Sequence, residues 1–397
     1  MGGRGGPGSI DEDALVEFCA ELVRIPSVNR PGQGERLAAD LVARQMRTFG
    51  WAPELWEVAP GRPNVVAVIE GNRPGPTLLF EGHTDVVSEG DPDAWAHPPF
   101  GGAIVDGVLH GRGSADMKSG VAAMMFAAHA VTQGGAFPGR VVVAALADEE
   151  GMMLGVKDFV ARGHADGVDA AIVCEPQAGE VCTTQKGALR VVVTAHGRMA
   201  HGAMPREARN PVDALSRYVL RLSDVQAELG DKPGPHEHLG EVYLTPTVVA
   251  AGEMAQLNVI PATAELAIDI RTVPAVPGPM LLERLRVETD AVAAETGVGL
   301  ELRVIEDRPS TQTSHDDPVV QAMLAAHEHV TGRPARIGGV PGATDGTILW
   351  RDADVPVVVY GPGDKWIAHQ CDEHVSLAEV ATAAHVYAEA ARRFLDR

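Results

Sequence analysis

Apolar residues recur at helical spacing from near the start of the chain. Leu15, Phe18, Cys19, Leu22 and Val23 predict a first helix over residues 11–24. A second, over 34–50, stops at a glycine before Trp51. The pattern then turns into short extended apolar runs at 64–70, 77–81, 140–147 and 170–174, separated by helical stretches at 119–133 and near 155–163. Such alternation predicts an α/β domain with a mostly parallel sheet flanked by helices on both faces.

The middle of the chain changes order. A strand at 187–197 leads to a helix at 211–229, with Asn210 placed to cap it and Pro211 as its first residue. After a Gly/Pro-punctuated loop at 230–240 come strands at 244–251 and 263–272, a helix at 280–296 and a strand at 299–306. This is a complete β-α-β-β-α-β unit, so an inserted domain is expected over 187–308. The flanking parts, 1–186 and 309–397, then form one discontinuous domain that ends with a helix at 318–331, a strand at 355–360 and a helix at 377–395.

Composition narrows the function. The chain has 397 residues, enough for two domains, and 45% of them are hydrophobic, as in ordinary globular proteins. With 33 basic against 54 acidic residues the net charge is −21, which disfavours nucleic acid and anionic membranes as partners. The lead from Met1 to Ser9 is Gly-rich and lacks the apolar centre of a secretory signal. The longest apolar stretch, 121–131, is too short to span a bilayer. The cysteines, Cys19, Cys174, Cys182 and Cys371, are scattered without a C-x-x-C pair, so reduced thiols and a cytoplasmic location are expected.

Several acidic residues fall where apolar strands end. Glu81-Gly82-His83-Thr84-Asp85 follows the run at 77–81, and on a strand His83 and Asp85 share a face. The pair reads either as a metal-binding imidazole with a supporting carboxylate or as a buried histidine satisfied by its neighbour. Asp116, in Gly111-Arg-Gly-Ser-Ala-Asp116-Met-Lys118, reads as a helix cap or a ligand. Asp148-Glu149-Glu150 closes the run at 140–147 as a solvated acidic turn, or as adjacent carboxylates dividing metal and proton work. Glu175 follows the run at 170–174, and His369 lies in the Gly/Pro-rich loop after 355–360. Ligands of open α/β sheets gather beyond the carboxyl ends of the strands. Five such positions supply nitrogen and oxygen donors without cysteine, which suits zinc and also cobalt or manganese. There is no G-x-S-x-G elbow and no phosphate-loop spacing, and His327-Glu328-His329 is not H-E-x-x-H.

Gly82-His83-Thr84-Asp85-Val86-Val87, the Asp116 motif, Asp148-Glu149-Glu150, Glu175-Pro176 and Ala368-His369 together resemble the ordered motifs of the ArgE/DapE/aminoacylase/carboxypeptidase G2 metallohydrolases, the M20-type family. The resemblance implies a catalytic domain of zinc-exopeptidase type with a ferredoxin-like lid or dimerisation domain, and a site for two divalent metal ions. Asp116 would bridge the ions, His83 and Glu175 would complete one, and Glu150 and His369 the other. Asp85 would orient His83, and Glu149 would be the general base. From the inserted domain, His201, in Gly197-Arg-Met-Ala-His201, would stabilise the oxyanion, in several relatives from the partner subunit. Asn258 and Arg271 would hold a substrate carboxylate, with an ion pair to Asp269 or Asp290 as the alternative for Arg271. Thr344, in Gly342-Ala-Thr344-Asp345, would join the site through its loop.

The function so implied is hydrolysis of the amide bond of a small carboxylate-bearing substrate, an N-acyl amino acid in the favoured form, by a homodimer joined through the lid. A dipeptidase or carboxypeptidase with the same metal site is the nearest alternative, and a binding protein without catalysis a remote one.

Overall fold

The computed structural model describes residues 8–30 and 34–397, so the lead sequence as far as Pro7 lies outside the described residues. Up to β8 the chain runs α1 (Glu12–Val23), α2 (Arg36–Thr48), β1 (Glu54–Ala59), β2 (Arg62–Glu70), β3 (Arg73–His83), β4 (Ala103–Val105), β5 (Val108–His110), α3 (Ser119–Gln133), β6 (Pro138–Leu146), α4 (Leu154–Ala161), β7 (Ala170–Val173) and β8 (Val181–Gln185). Next come β9 (Gly187–His196), α5 (Pro211–Asp231), β10 (Tyr243–Ala251), β11 (Thr263–Thr272), α6 (Gly278–Thr296) and β12 (Gly299–Arg308). The chain closes with α7 (Pro318–Thr331), α8 (Gly346–Ala353), β13 (Val357–Val359), β14 (His374–Ser376) and α9 (Leu377–Leu395). Two compact units result. One gathers the chain up to Thr183 with Thr313–Gly338 and Thr344–Arg397, and the other gathers Thr184–Gln312 with Gly339–Ala343.

In the first unit the strands lie in the order β1-β2-β6-β3-β7-β13-β8. The centre, β6-β3-β7-β13, is parallel, and the flanking pairs β1–β2, β2–β6 and β13–β8 are antiparallel. Side chains alternate across the sheet. Leu78, Phe80, Val141 and Val143 join one apolar cluster with α1, α3, α7 and α9. The opposite face meets α4 and α8. Helix α3 is apolar on nearly every side and accordingly buried. The apolar pattern does not announce β1, a half-exposed edge strand, or β8, Val181-Cys-Thr-Thr-Gln185, whose threonines break the run. Helix α8 is also unannounced, because it is short and opens on Gly346.

The second unit is a four-stranded antiparallel sheet in the order β10-β11-β9-β12 with α5 and α6 packed on it. Val191, Val193, Leu215, Tyr218, Leu266, Ile268 and Leu285 fill its core. Its edge strand β10 exposes Tyr243, Val248 and Val249. Among the described residues, no helix is long and apolar enough to cross a membrane.

Candidate metal centre

Four strand ends and one helix start converge in the first unit. His83 is the last residue of β3, the Asp148-Glu149-Glu150 turn follows β6, Glu175 follows β7, and the loop after β13 returns His369. Asp116 arrives from the loop before α3, and two glycines fix its approach. Gly113 has φ 82°, and a Cβ there would meet Val86 at 2.6 Å. A Cβ on Gly120 would sit 1.9 Å from the carbonyl oxygen of Cys174, so only glycine lets α3 lie against the end of β7. That contact brings Asp116 beside Glu175.

The Asp116 carboxylate lies between two imidazoles. Its Oδ1 is 3.2 Å from His83 Nε2, and its Oδ2 is 3.3 Å from His369 Nε2. Each imidazole has a glutamate at its flank, Glu175 Oε1 at 3.3 Å from His83 and Glu150 Oε1 at 2.9 Å from His369. His83, Asp116 and Glu150 each bring a donor atom within 4.8 Å of the others, as do His83, Glu149 and Glu175. His83 is common to those two groups, while Asp116, with one oxygen toward each imidazole, stands between a His83 lobe and a His369 lobe. His83 and Glu175 are buried, whereas the His369 side chain is 52% exposed and marks the open side.

The electrostatics fit divalent cations. Burial pushes Glu175 up to about 8, and the neighbouring Asp116 adds to it. Burial likewise raises Glu150, and it holds Glu149 well above the usual carboxylate range. Hydrogen bonds to Asp116 and Glu150 push His369 up to about 10. For His83, burial alone would lower the pKa, but hydrogen bonds to Asp116, Asp85 and Glu175 hold it well above the ordinary value. Four carboxyl groups thus crowd around two imidazoles that hold protons for want of other positive charge. The donors are nitrogen and carboxylate oxygen only, the set that zinc, cobalt and manganese take.

A pH dependence follows. Glu175 and His369 keep protons at pH 7 when their values are about 8 and 10, and a metal ion taking these groups as ligands would have to displace those protons. Affinity of the metal-free protein for a divalent ion is expected to rise about tenfold or more per pH unit between roughly pH 6 and 8. Chelator competition at several pH values measures this, with calorimetry in two buffers counting the released protons. A flat profile would refute the protonated ground state.

Asp85 ties the centre together. His83 Nδ1 donates to the Asp85 carbonyl at 3.0 Å, which fixes the tautomer and leaves Nε2 facing Asp116. The Asp85 carboxylate, 3.5 Å from the same ring, accepts from the backbone N–H of Glu149 and of Glu150, both at 3.1 Å, and from Asn29 Nδ2 at 2.6 Å. It therefore orients the glutamate turn as well as the histidine. Asp148, φ 69°, pairs with Arg62 at 3.1 Å and accepts from Met152 N, so it shapes the turn and offers no donor to the lobes.

Some supporting residues carry no sequence signal of their role. Arg112 and Glu373, both buried, form an ion pair. Glu373 Oε1 accepts from Ala115 N at 2.9 Å and Asp116 N at 3.1 Å, while Arg112 donates to the His369 carbonyl at 3.3 Å. The pair anchors both segments that carry Asp116 and His369. Behind His83, burial and then the adjacent Asp345 carboxylate raise Glu81 well above its ordinary pKa. Arg112 stands inside a motif already singled out and Glu373 follows His369 by four residues, but their pairing spans 261 positions.

The remaining expected site residues fall in two groups. His201 and Asn258 are neighbours in the second unit, where Gly202 N donates to the Asn258 carbonyl at 2.6 Å. Both are exposed, and His201 Nδ1 accepts from Ala203 N. Arg271, on β11 of the same unit, donates to both carboxylate oxygens of Asp269, at 2.6 and 3.3 Å. Thr344 belongs to the first unit, is 5% exposed, and its hydroxyl accepts from Gly346 N at the start of α8.

Known proteins resemble this chain along most of its length. The sequence model described as peptidase family M20/M25/M40 matches residues 79–393. A succinyl-diaminopimelate desuccinylase of Cereibacter sphaeroides is 34% identical over 94% of this chain and 96% of its own. One from Paracoccus denitrificans is 33% identical over 96% of this chain and 97% of its own. The crystal structure of an M20 family metallo-carboxypeptidase from Sulfolobus solfataricus superposes with TM-score 0.78 at 19% identity, covering 98% of this chain and all of that one (100%). A Bacillus subtilis protein described as a dinuclear metal binding peptidase of the M20 family gives TM-score 0.72 at 19% identity, covering 97% of this chain and 98% of that one.

Proposed function

The chain belongs to peptidase family M20/M25/M40 and is a metal-dependent hydrolase of amide bonds, and from that premise we propose that it removes the acyl group, succinyl foremost, from an N-acylated amino acid. The observation that carries the metal reading is the Asp116 carboxylate set between His83 and His369, each flanked by its own glutamate. His83, Asp116 and Glu175 would hold one ion, and Asp116, Glu150 and His369 the other. Zinc is our choice, because two imidazoles with carboxylates suit it; cobalt and manganese take the same donors.

Held by these residues, two divalent ions would supply Lewis-acid chemistry, lowering the pKa of water and polarising the amide carbonyl. Glu149 takes the proton from the attacking water and delivers it to the leaving amine. Burial raises its pKa well above the usual carboxylate range, the direction that suits a group that must both take and return a proton. Arg112 and Glu373 keep Asp116 and the His369 loop in register. His201 and Asn258, side by side and exposed, offer polar groups for the substrate, with His201 as the oxyanion donor. Arg271 is the guanidinium for a substrate carboxylate, which must share it with Asp269. Thr344 acts through its loop, since its hydroxyl is committed to α8. A homodimer through the second unit is supported by the exposed apolar edge of β10. A cytoplasmic location is supported by four cysteines that are all free.

Release of free amine from N-succinyl, N-acetyl and N-carbamoyl amino acids and from dipeptides tests the reading. N-succinyl amino acids, a diamino acid among them, are expected to exceed dipeptides in kcat/KM by about a hundredfold, or roughly 3 kcal/mol. Dipeptides cleaved faster would make it a dipeptidase. No turnover with any of them after full metal loading would leave a binding protein.

A further inference from the structure

Three histidines outside the metal centre crowd together in the first unit. The rings of His97 and His110 lie 4.5 Å apart between centres, and those of His110 and His374 5.7 Å. The fold dictates this grouping. Strand β14 pairs with β5 so that His374 stands directly opposite His110, which puts both side chains on one face. The segment carrying His97 is held alongside, since Ala96 N donates to Asp372 Oδ1 at 2.6 Å and Arg112 N to the Pro99 carbonyl at 2.7 Å. The metal centre and the chemistry assigned to it use none of these rings.

We propose that His97, His110 and His374, with Asp372 beside them, form a separate binding site for one transition-metal dication such as Zn2+, Ni2+ or Co2+. Imidazole is a preferred ligand of these ions, and a carboxylate completes a four-coordinate set. The spacing fits. With metal–nitrogen bonds of about 2.0 Å, two imidazoles on one tetrahedral ion have ring centres about 5 Å apart. The two separations that involve His110, 4.5 and 5.7 Å, bracket that value, and the His97–His374 separation is the one that closure must set. Among the described residues the groups whose donor atoms already converge are those of the main centre. The triad therefore closes on its ion by rotation of the exposed His374 and the half-buried His97, while His110 stays fixed on β5. His110 is ready to bind: burial, then His97 and His374, hold it below its ordinary pKa, so its ring is neutral at pH 7. Asp372 faces the same ring and has one oxygen engaged by Ala96 N.

The position gives the ion a consequence. His374 adjoins Glu373, and the His97 segment carries Trp95, whose ring lies 5.1 Å from the Arg112 guanidinium. An ion held by the triad ties together the two segments that enclose the Arg112–Glu373 pair.

The test uses the full chain with its main centre loaded, dialysed against micromolar Ni2+ alone, with bound nickel counted by mass spectrometry. The wild type is expected to take up one equivalent more than His97→Ala/His374→Ala. Either single substitution should weaken that equivalent at least tenfold, and Ni2+ should raise the wild-type Tm by about 2–4 °C without moving that of the double variant. His110→Asn, nearer in shape, is expected to lose the same equivalent. Because the readout is a difference, it holds however many ions the main centre takes. Equal nickel uptake by wild type and double variant overturns the proposal.

Discussion

Replacing Glu149 by glutamine is expected to lower kcat by roughly a thousandfold or more while leaving metal content and KM nearly unchanged. Glutamine keeps the shape and the backbone N–H that Asp85 accepts at 3.1 Å, so the turn should hold. It removes the one group assigned to carry the proton from water to amine. It also removes a carboxyl that burial and its neighbours Glu150, Asp345 and Glu175 hold well above the usual range. The metal-free variant should therefore melt no lower than the wild type, and above it at neutral pH, where ionising Glu149 costs the folded state. Steady-state kinetics, metal analysis and thermal melts separate the outcomes. Activity within tenfold of wild type would place the base elsewhere, and loss of an ion would make Glu149 a ligand.

This separation matters because Glu149 lies among the donors: it converges with His83 and Glu175 to within 4.8 Å, as Glu150 does with His83 and Asp116. Adjacent carboxylates in one turn are divided by where their backbone is pinned. Asp85 accepts from both N–H groups, one on each of its oxygens, and the side chains diverge, Glu150 to His369 and Glu149 to His83 and Glu175.

The strand ends were legible in the sequence for a physical reason. A polar residue directly after a fully buried apolar run must emerge at the rim of the sheet, and parallel strands put all such rims on one side. His83, Glu175 and the Glu149-Glu150 turn follow that rule, and the structure brings them to one place. The order of the inserted unit was also legible, since extended and helical stretches follow one another from Gly187 to Arg308. Pairing between distant segments was not legible. Nothing in the local pattern says that Gly339–Ala343 packs with the second unit, whereas the Arg271–Asp269 pair, two residues apart on one strand, was among the readings the sequence allowed. The three-histidine group likewise depends on the register of β14 against β5, which no single-chain periodicity encodes.

The Arg112–Glu373 pair yields the other large expected effect. Glu373 is 0% and Arg112 2% exposed, so Glu373→Gln leaves a buried guanidinium without its counter-charge. Breaking such a pair on one side is expected to cost about 3–5 kcal/mol of stability. It should also loosen the centre, because Ala115 N and Asp116 N lose their anionic acceptor and the Arg112 contact to the His369 carbonyl loses its brace. Divalent-ion affinity is expected to fall about 10–100-fold, as when partners behind a metal ligand are removed. Arg112→Met/Glu373→Met separates the two effects. With both charges gone and the volume kept, most of the stability should return, since a buried ion pair is often worth little more than apolar packing. Metal affinity should stay low, because no acceptor faces Asp116 N. Melts with and without chelator, paired with competition for Zn2+, read both quantities. If the double variant recovers affinity together with stability, the pair is packing alone and the register of Asp116 is set elsewhere.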